Sequence, residues 1–233
     1  MFDSILEAHK ATTALRHSLT RRAEFADENV FEMLASLQQV LDIAKMEDQQ
    51  ANALRPEDIS DIGERGLGLL DSLVASLAAK NLVTEKQDIE QVALVIAQWV
   101  ISHHGVLHSI QSIVDGLAYL ANAIHDKTIL AQLACFMGQV ISTCDVIIKH
   151  DLDNSDPARP WRVLNINRGI VATRSHDPDV MMTVYTDMIR NIPMDAPAFF
   201  AEGMSEMMQQ NYPEPVREVV QEFYERTKLP VIH

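Results

Sequence analysis

The chain has 233 residues, of which 47% are hydrophobic and 22% charged, and its formal net charge is −14. A chain of this length holds one large domain or two small ones, buries roughly three quarters of its unfolded surface, and needs no disulfide or metal staple. The acidic balance excludes nonspecific nucleic-acid binding, which requires clustered Lys and Arg.

The N-terminal stretch opens Met-Phe-Asp-Ser-Ile-Leu-Glu and lacks the basic region and apolar run of a signal peptide. The most apolar window, from Val92 to Ile101, is interrupted by Gln98 and followed by Ser102-His103-His104, too short and polar for a membrane span. A cytoplasmic protein with no membrane partner is the expectation. Cys135 and Cys144 fall nine residues apart on what reads as one helix, on opposite faces and about 13 Å apart along its axis. Both are expected as buried, reduced thiols.

Helical periodicity runs from end to end. Val30, Leu34, Leu37, Leu41 and Ala44 mark one helix face, and Ile59, Ile62, Gly66, Leu69, Leu73 and Leu77 a second. Leu130, Leu133, Met137, Val140, Cys144 and Ile148 repeat the spacing, as do Met181, Val184, Met188 and Ile192. Helix starts are expected at Pro56 with Glu57 and Asp58, at the capping-box pattern Thr84-Glu85-Lys86-Gln87, at Asp126, at Asp177-Pro178, at Asp195-Ala196-Pro197 and at Pro213. The expected fold is all-α, an antiparallel helical bundle or short α-solenoid of about ten helices. They lie near 3–20, 28–52, 57–80, 85–103, 106–124, 127–149, 160–174, 178–192, 197–210 and 214–227.

Charge is thin between Gly66 and Ile148, where Lys80, Lys86 and Lys127 are the basic residues. That span is expected to form the centre of the fold, with part of it available to a homodimer interface, since obligate interfaces resemble a core cut in half. The polar, proline-bearing stretch from Asp151 to Pro160 marks the expected boundary between a helical core region, 1–150, and a C-terminal region of helical pairs, 151–233. Beyond it the helix starts recur at Pro160, Pro178, Pro197 and Pro213, a two-helix repeat of solenoid type seen about twice. The diagnostic residues of the tetratricopeptide repeat are absent at matching positions.

Three constellations are candidate sites. On a helix continuing through Gly105, His104 and His108 stand one turn apart and Asp115 returns to nearly the same face, a set that can hold a divalent metal. No HExxH supplies a built-in base, and Gly105 breaking the helix would leave these as histidines at a helix end. Trp161, Arg162, Asn165 and Arg168 share one side of a helix opposite Val163, Ile166, Ile170 and Val171, and forked guanidinium bonds with stacking suit a small anion. The plainer reading pairs these arginines with surplus carboxylates. Met182, Phe199, Phe200, Met207 and Met208 lie in a methionine-rich third that suits an adaptable partner surface and equally suits the filling of an irregular core. Gly63-Glu64-Arg65-Gly66-Leu67-Gly68 lacks the strand and Lys-Ser/Thr of a phosphate loop, so close helix approach is expected there. No Gly-x-Ser-x-Gly elbow supports hydrolase chemistry.

The expected function is a non-enzymatic helical interaction or regulatory protein, with a protein partner or a homo-oligomer and no cofactor. The alternatives are a metal-binding protein or metal-dependent enzyme using His104, His108 and Asp115, and a small-anion-binding sensor using Arg162 and Arg168.

Overall fold

The structure, a computed structural model, describes residues 4–21, 27–50, 53–152 and 155–228; over 83–90 it describes the backbone, with the side chain of Ile89 alone. Thr84, Glu85, Lys86 and Gln87 of the capping-box pattern therefore have no described side chains, and Asp153 and Asn154 of the polar stretch lie outside the described residues.

Among the described residues there are eleven helices and no strand, so the fold is all-α. They are α1 (Ile5–Thr20), α2 (Glu28–Gln50), α3 (Pro56–Ala79), α4 (Val83–Ser102), α5 (Gln111–Ala123), α6 (Lys127–Thr143), α7 (Val146–Lys149), α8 (Pro160–Ser175), α9 (Pro178–Asn191), α10 (Ala196–Gln209) and α11 (Glu214–Thr227). The chain divides into two compact units. One is Met1–Leu117 with Thr143–Asp145, and the other is Ala118–Ser142 with Val146–His233. The polar stretch 151–160 therefore lies inside the second unit.

In the first unit α1 packs on α2, α2 on α3, α3 on α4, and α4 back on α1, the ring of a four-helix bundle. Leu34, Leu37, Leu41, Ile59, Leu67, Leu70, Leu73 and Leu77 are fully shielded at its centre. Two glycines let α3 approach α4. A Cβ on Gly66 would stand 3.0 Å from Ile96 Cδ1, and one on Gly63 would collide with Val100 Cγ2, whereas Gly68 faces open space. The α2–α3 turn is held by Glu47, 4% exposed, whose two carboxylate oxygens each accept from the Leu54 N–H at 3.2 Å.

Two expected helices are shorter than read. The helix expected over 106–124 begins at Gln111, and the one expected over 127–149 stops at Thr143. The reason is a single parallel bridge between Leu107 and Cys144: the Leu107 N–H donates to Thr143 O at 3.0 Å and the Asp145 N–H to Leu107 O at 2.9 Å. Backbone groups committed to this pairing cannot close helical bonds. The chain resumes as α7, a single turn, which makes eleven helices rather than ten. Cys144 is thus off the helix and buried, and Cys135 is exposed on α6, so the expectation of two buried thiols on one helix is corrected.

In the second unit α8 packs on α9, α10 on α11, and α9 on α11. Tyr185 meets Phe199, Phe200 and Phe223 edge to face, at 5.0 Å from Phe200 and 5.3 Å from Phe223 between ring centres. The Tyr185 hydroxyl shares a 2.6 Å hydrogen bond with Thr173 Oγ1, and burial pushes its pKa upward. Asp177 caps α9 as expected, accepting from the Asp179 and Val180 N–H groups at 3.1 and 3.2 Å.

Candidate functional site

The histidine constellation depends on a helix that the chain does not continue. α4 ends at Ser102, and His104 has φ 61°, in the left-handed region. A Cβ on Gly105 would lie 2.8 Å from Ile59 Cγ2 and 3.3 Å from Ser60 N, so the backbone runs against α3 where a helix would need room for side chains. The Val106 N–H then donates to Ser60 Oγ at 2.8 Å. The register that placed His104, His108 and Asp115 on one face is lost. His108 Nδ1 instead meets Asp145 at 2.9 Å, and Asp115 accepts from the Gln111 side chain at 3.1 Å. His104 is exposed, and His103 meets Asp48 at 3.4 Å. Among the described residues no group of three His, Cys, Asp or Glu is placed to hold a metal ion.

The arginine constellation is turned the other way round. Most of its expected polar side is buried in α8: Trp161 is 4% exposed, Asn165 2% and Arg168 6%, with Arg162 half-buried; of the expected apolar side Ile170 is 43% exposed and Val163 and Ile166 are half-buried, and Val171 alone is buried as expected. Internal partners make this affordable. Arg168 donates to Asp187 at 2.8 Å and to the Ala134 carbonyl at 3.0 Å. Its guanidinium lies over Gly138, where a Cβ would stand 2.9 Å from Arg168 Cζ. The Trp161 Nε1–H donates to Asn191 O at 3.2 Å, and the Asn191 side chain donates to Asn165 Oδ1 at 3.0 Å. Arg162 donates to Asp195 at 2.6 Å. These groups are held by one another, so the arginines follow the plainer reading of pairing with carboxylates.

The hub of this network is Arg159. It is 8% exposed, grips Asp151 at 2.6 and 2.9 Å, and reaches Asp195 at 2.8 Å. Asp195 was expected to cap α10 but makes no side-chain cap bond, because both its oxygens receive guanidinium donors instead. Burial works to raise the Asp195 carboxyl; the hydrogen bonds from Arg162 and Arg159 outweigh it and hold the group below the usual carboxylate range. Arg174 closes the pattern by donating to the Ala121 carbonyl and, at 2.7 Å, to that of Ile124.

The methionine constellation splits. Phe200 and Met207 are buried, at 0% and 5% exposure, and half-buried Phe199 sits within the aromatic cluster, so these three serve the core. Met182 and Met208 are exposed, as is Met194. The more concentrated apolar exposure lies elsewhere. α7 has no buried residue, and Val146, Ile147 and Leu152 are 59, 71 and 81% exposed.

No protein-family model, curated protein or solved structure matches the chain.

Proposed function

We propose that the protein is a non-enzymatic helical interaction protein that seats a protein partner on the second unit, around α7. The observation that supports this reading is the outward set Val146, Ile147 and Leu152, three large apolar side chains within seven residues, each more than half exposed. Side chains of this size each forgo about 1.5–3 kcal/mol when left in water rather than buried. A concentration of them on one short segment is the surface feature that partner binding explains. Exposed Lys149, in α7 itself, suits the polar rim of such an interface.

The test uses Lys149 as a reporter. Wild-type protein and the variant Val146→Asp/Ile147→Asp/Leu152→Asp are expressed at matched levels and treated with a lysine-reactive cross-linker. A partner cross-linked through Lys149 in the wild type and lost in a variant of unchanged circular dichroism supports the reading. Equal cross-linking by both chains, or none by either, sinks it.

A further inference from the structure

We infer that the groove between α1 and α2 in the first unit is a binding site for a small polyphosphate-bearing ligand. The groove is open to solvent and offers about 630 Å³, a volume within the range of small-molecule sites. Its wall on α1 is basic in a chain that is strongly acidic. From residue 5 to residue 21 the chain carries Lys10, Arg16 and Arg21 against a single acid, Glu7, together with His9 and His17. Lys10 is tied to Glu7 at 2.6 Å and is not part of the lining.

The arrangement follows from helix periodicity. Ile5, Ala8, Thr12, Leu15 and Leu19 are the buried face of α1. His9, Thr13, Arg16 and Thr20 recur at four, three and four residues and form the neighbouring stripe, which borders the groove with His17 and Arg21 beside it. α2 supplies the facing wall through Gln38 and Asp42, one turn apart.

Two features prepare this surface for an anion. Gln38 Oε1 accepts from Arg16 Nη1 at 3.1 Å, and Gln38 Nε2 donates to Thr13 Oγ1 at 3.0 Å. This chain of bonds positions Arg16 while using one of its five donors, so less side-chain freedom is lost when an anion is gripped. The one carboxylate of the lining, Asp42, is engaged by His9 at 3.3 Å, at the far end of the groove. With a rise of ~1.5 Å per residue, Arg16 lies about 10 Å along α1 from His9, and Arg21 about 18 Å. The cationic end is thus separated from the acid. Arg16 also borders a second hollow of about 430 Å³ whose lining includes Glu28 and Glu32, yet no ion pair joins Arg16 to either among the described residues.

The spacing selects the ligand class. Arg16 and Arg21 are separated by about 7.5 Å along the helix and about 140° around it, more than a single phosphoryl group bridges. Two or three linked phosphates reach both guanidinium groups with forked bonds, and His17 lies between to donate to an intervening oxygen, the Thr20 hydroxyl being committed to the Arg16 carbonyl at 2.8 Å.

The test is calorimetric titration of the full chain with inorganic tripolyphosphate and with orthophosphate, in low-salt buffer free of divalent cations. Arg16 and Arg21 are exposed, so the variant Arg16→Ala/Arg21→Ala is expected to keep its circular dichroism spectrum. Tripolyphosphate should bind about tenfold or more tighter than orthophosphate, the variant should lose that tenfold or more, and Gln38→Ala should weaken binding by a smaller factor. Arg16→Lys/Arg21→Lys keeps the charge and loses the fork, and should fall between wild type and the alanine variant. Absence of tripolyphosphate binding at about millimolar concentration, or equal affinity in wild type and the alanine variant, would overturn the inference. So would equal affinity for the two phosphates, or an oligoglutamate peptide binding as tightly as tripolyphosphate, which would make the groove a seat for acidic protein segments.

Discussion

Replacing Asp187 by alanine isolates the contribution of the buried charge on α8. The Arg168 side chain is 7% exposed and its Asp187 partner 23%, so water reaches the pair mainly from the acid's side. Breaking a fully buried pair costs about 3–5 kcal/mol and losing one charge-assisted hydrogen bond about 1.5–3. The partial exposure of Asp187 and the bond that Arg168 retains to Ala134 O place Asp187→Ala at about 2–4 kcal/mol. Arg190 offers an internal control. It meets the other oxygen of Asp187 at 2.6 Å, but its side chain is 71% exposed, so Arg190→Ala should cost less than about 1 kcal/mol. Arg168→Met removes the charge with its need for a partner, and the double variant Arg168→Met/Asp187→Ala should cost less than the sum of the singles by about 1–3 kcal/mol. Urea unfolding at neutral pH, followed by circular dichroism with separate transitions allowed for the two units, measures all four. A loss below about 0.5 kcal/mol in Asp187→Ala, or an equal loss in Arg190→Ala, would refute the assignment of Arg168 as an internally neutralised charge.

Two further outcomes follow from the same packing. Asp195 has a lowered pKa, so the stability it contributes is full above the unfolded value of about 3.9 and is lost as pH falls through the folded value; Asp195→Asn should flatten the fall of the urea midpoint below about pH 4, and an unchanged slope counts against the Arg159–Asp195–Arg162 cluster. The glycines of α3 should respond oppositely to alanine. Gly68→Ala, with nothing within 4 Å of its new Cβ, should stabilise by up to about 1 kcal/mol through helix propensity, while Gly63→Ala, pressed on Val100, should destabilise by about 1–2; thermal melting of both variants checks the pair, and a shared sign refutes the close approach of α3 and α4.

The sequence was legible where a helix turns an apolar stripe inward. Val30, Leu34, Leu37, Leu41 and Ala44 are all buried, and Met181, Val184, Met188 and Ile192 likewise. It misled where the burial partner is a carboxylate or a carbonyl from another part of the chain. Nothing near Arg168 announces Asp187 or Ala134, so periodicity alone assigned the outer face of α8 to the core. The end of α6 was hidden for a similar reason: Leu107 and Cys144 pair across a long sequence separation, and no local residue signals it. Gly105 was a usable signal, since its missing side chain is what lets the chain pass α3. The basic groove on α1 was overlooked because net charge was weighed over the whole molecule rather than one helix at a time.

The inward polar face of α8 also bears on the order in which the chain is made. Asp187 lies 19 residues beyond Arg168, so at roughly 5–20 residues per second it is synthesised about one to four seconds later. During that interval α8 can already bury Trp161, Leu164, Val171 and Ala172, but the Arg168 guanidinium among them lacks its carboxylate, while Val163, Ile166 and Ile170 offer an uncharged apolar face on the other side. A chain cut short before residue 187 should therefore bury Trp161 less completely than the whole chain does; both are measured with Trp99→Phe, since Trp99 is also buried, and native-like emission from Trp161 in the shortened chain would contradict this. Two faces of this helix can be buried by apolar contact, and the late carboxylate selects the one that carries the charge.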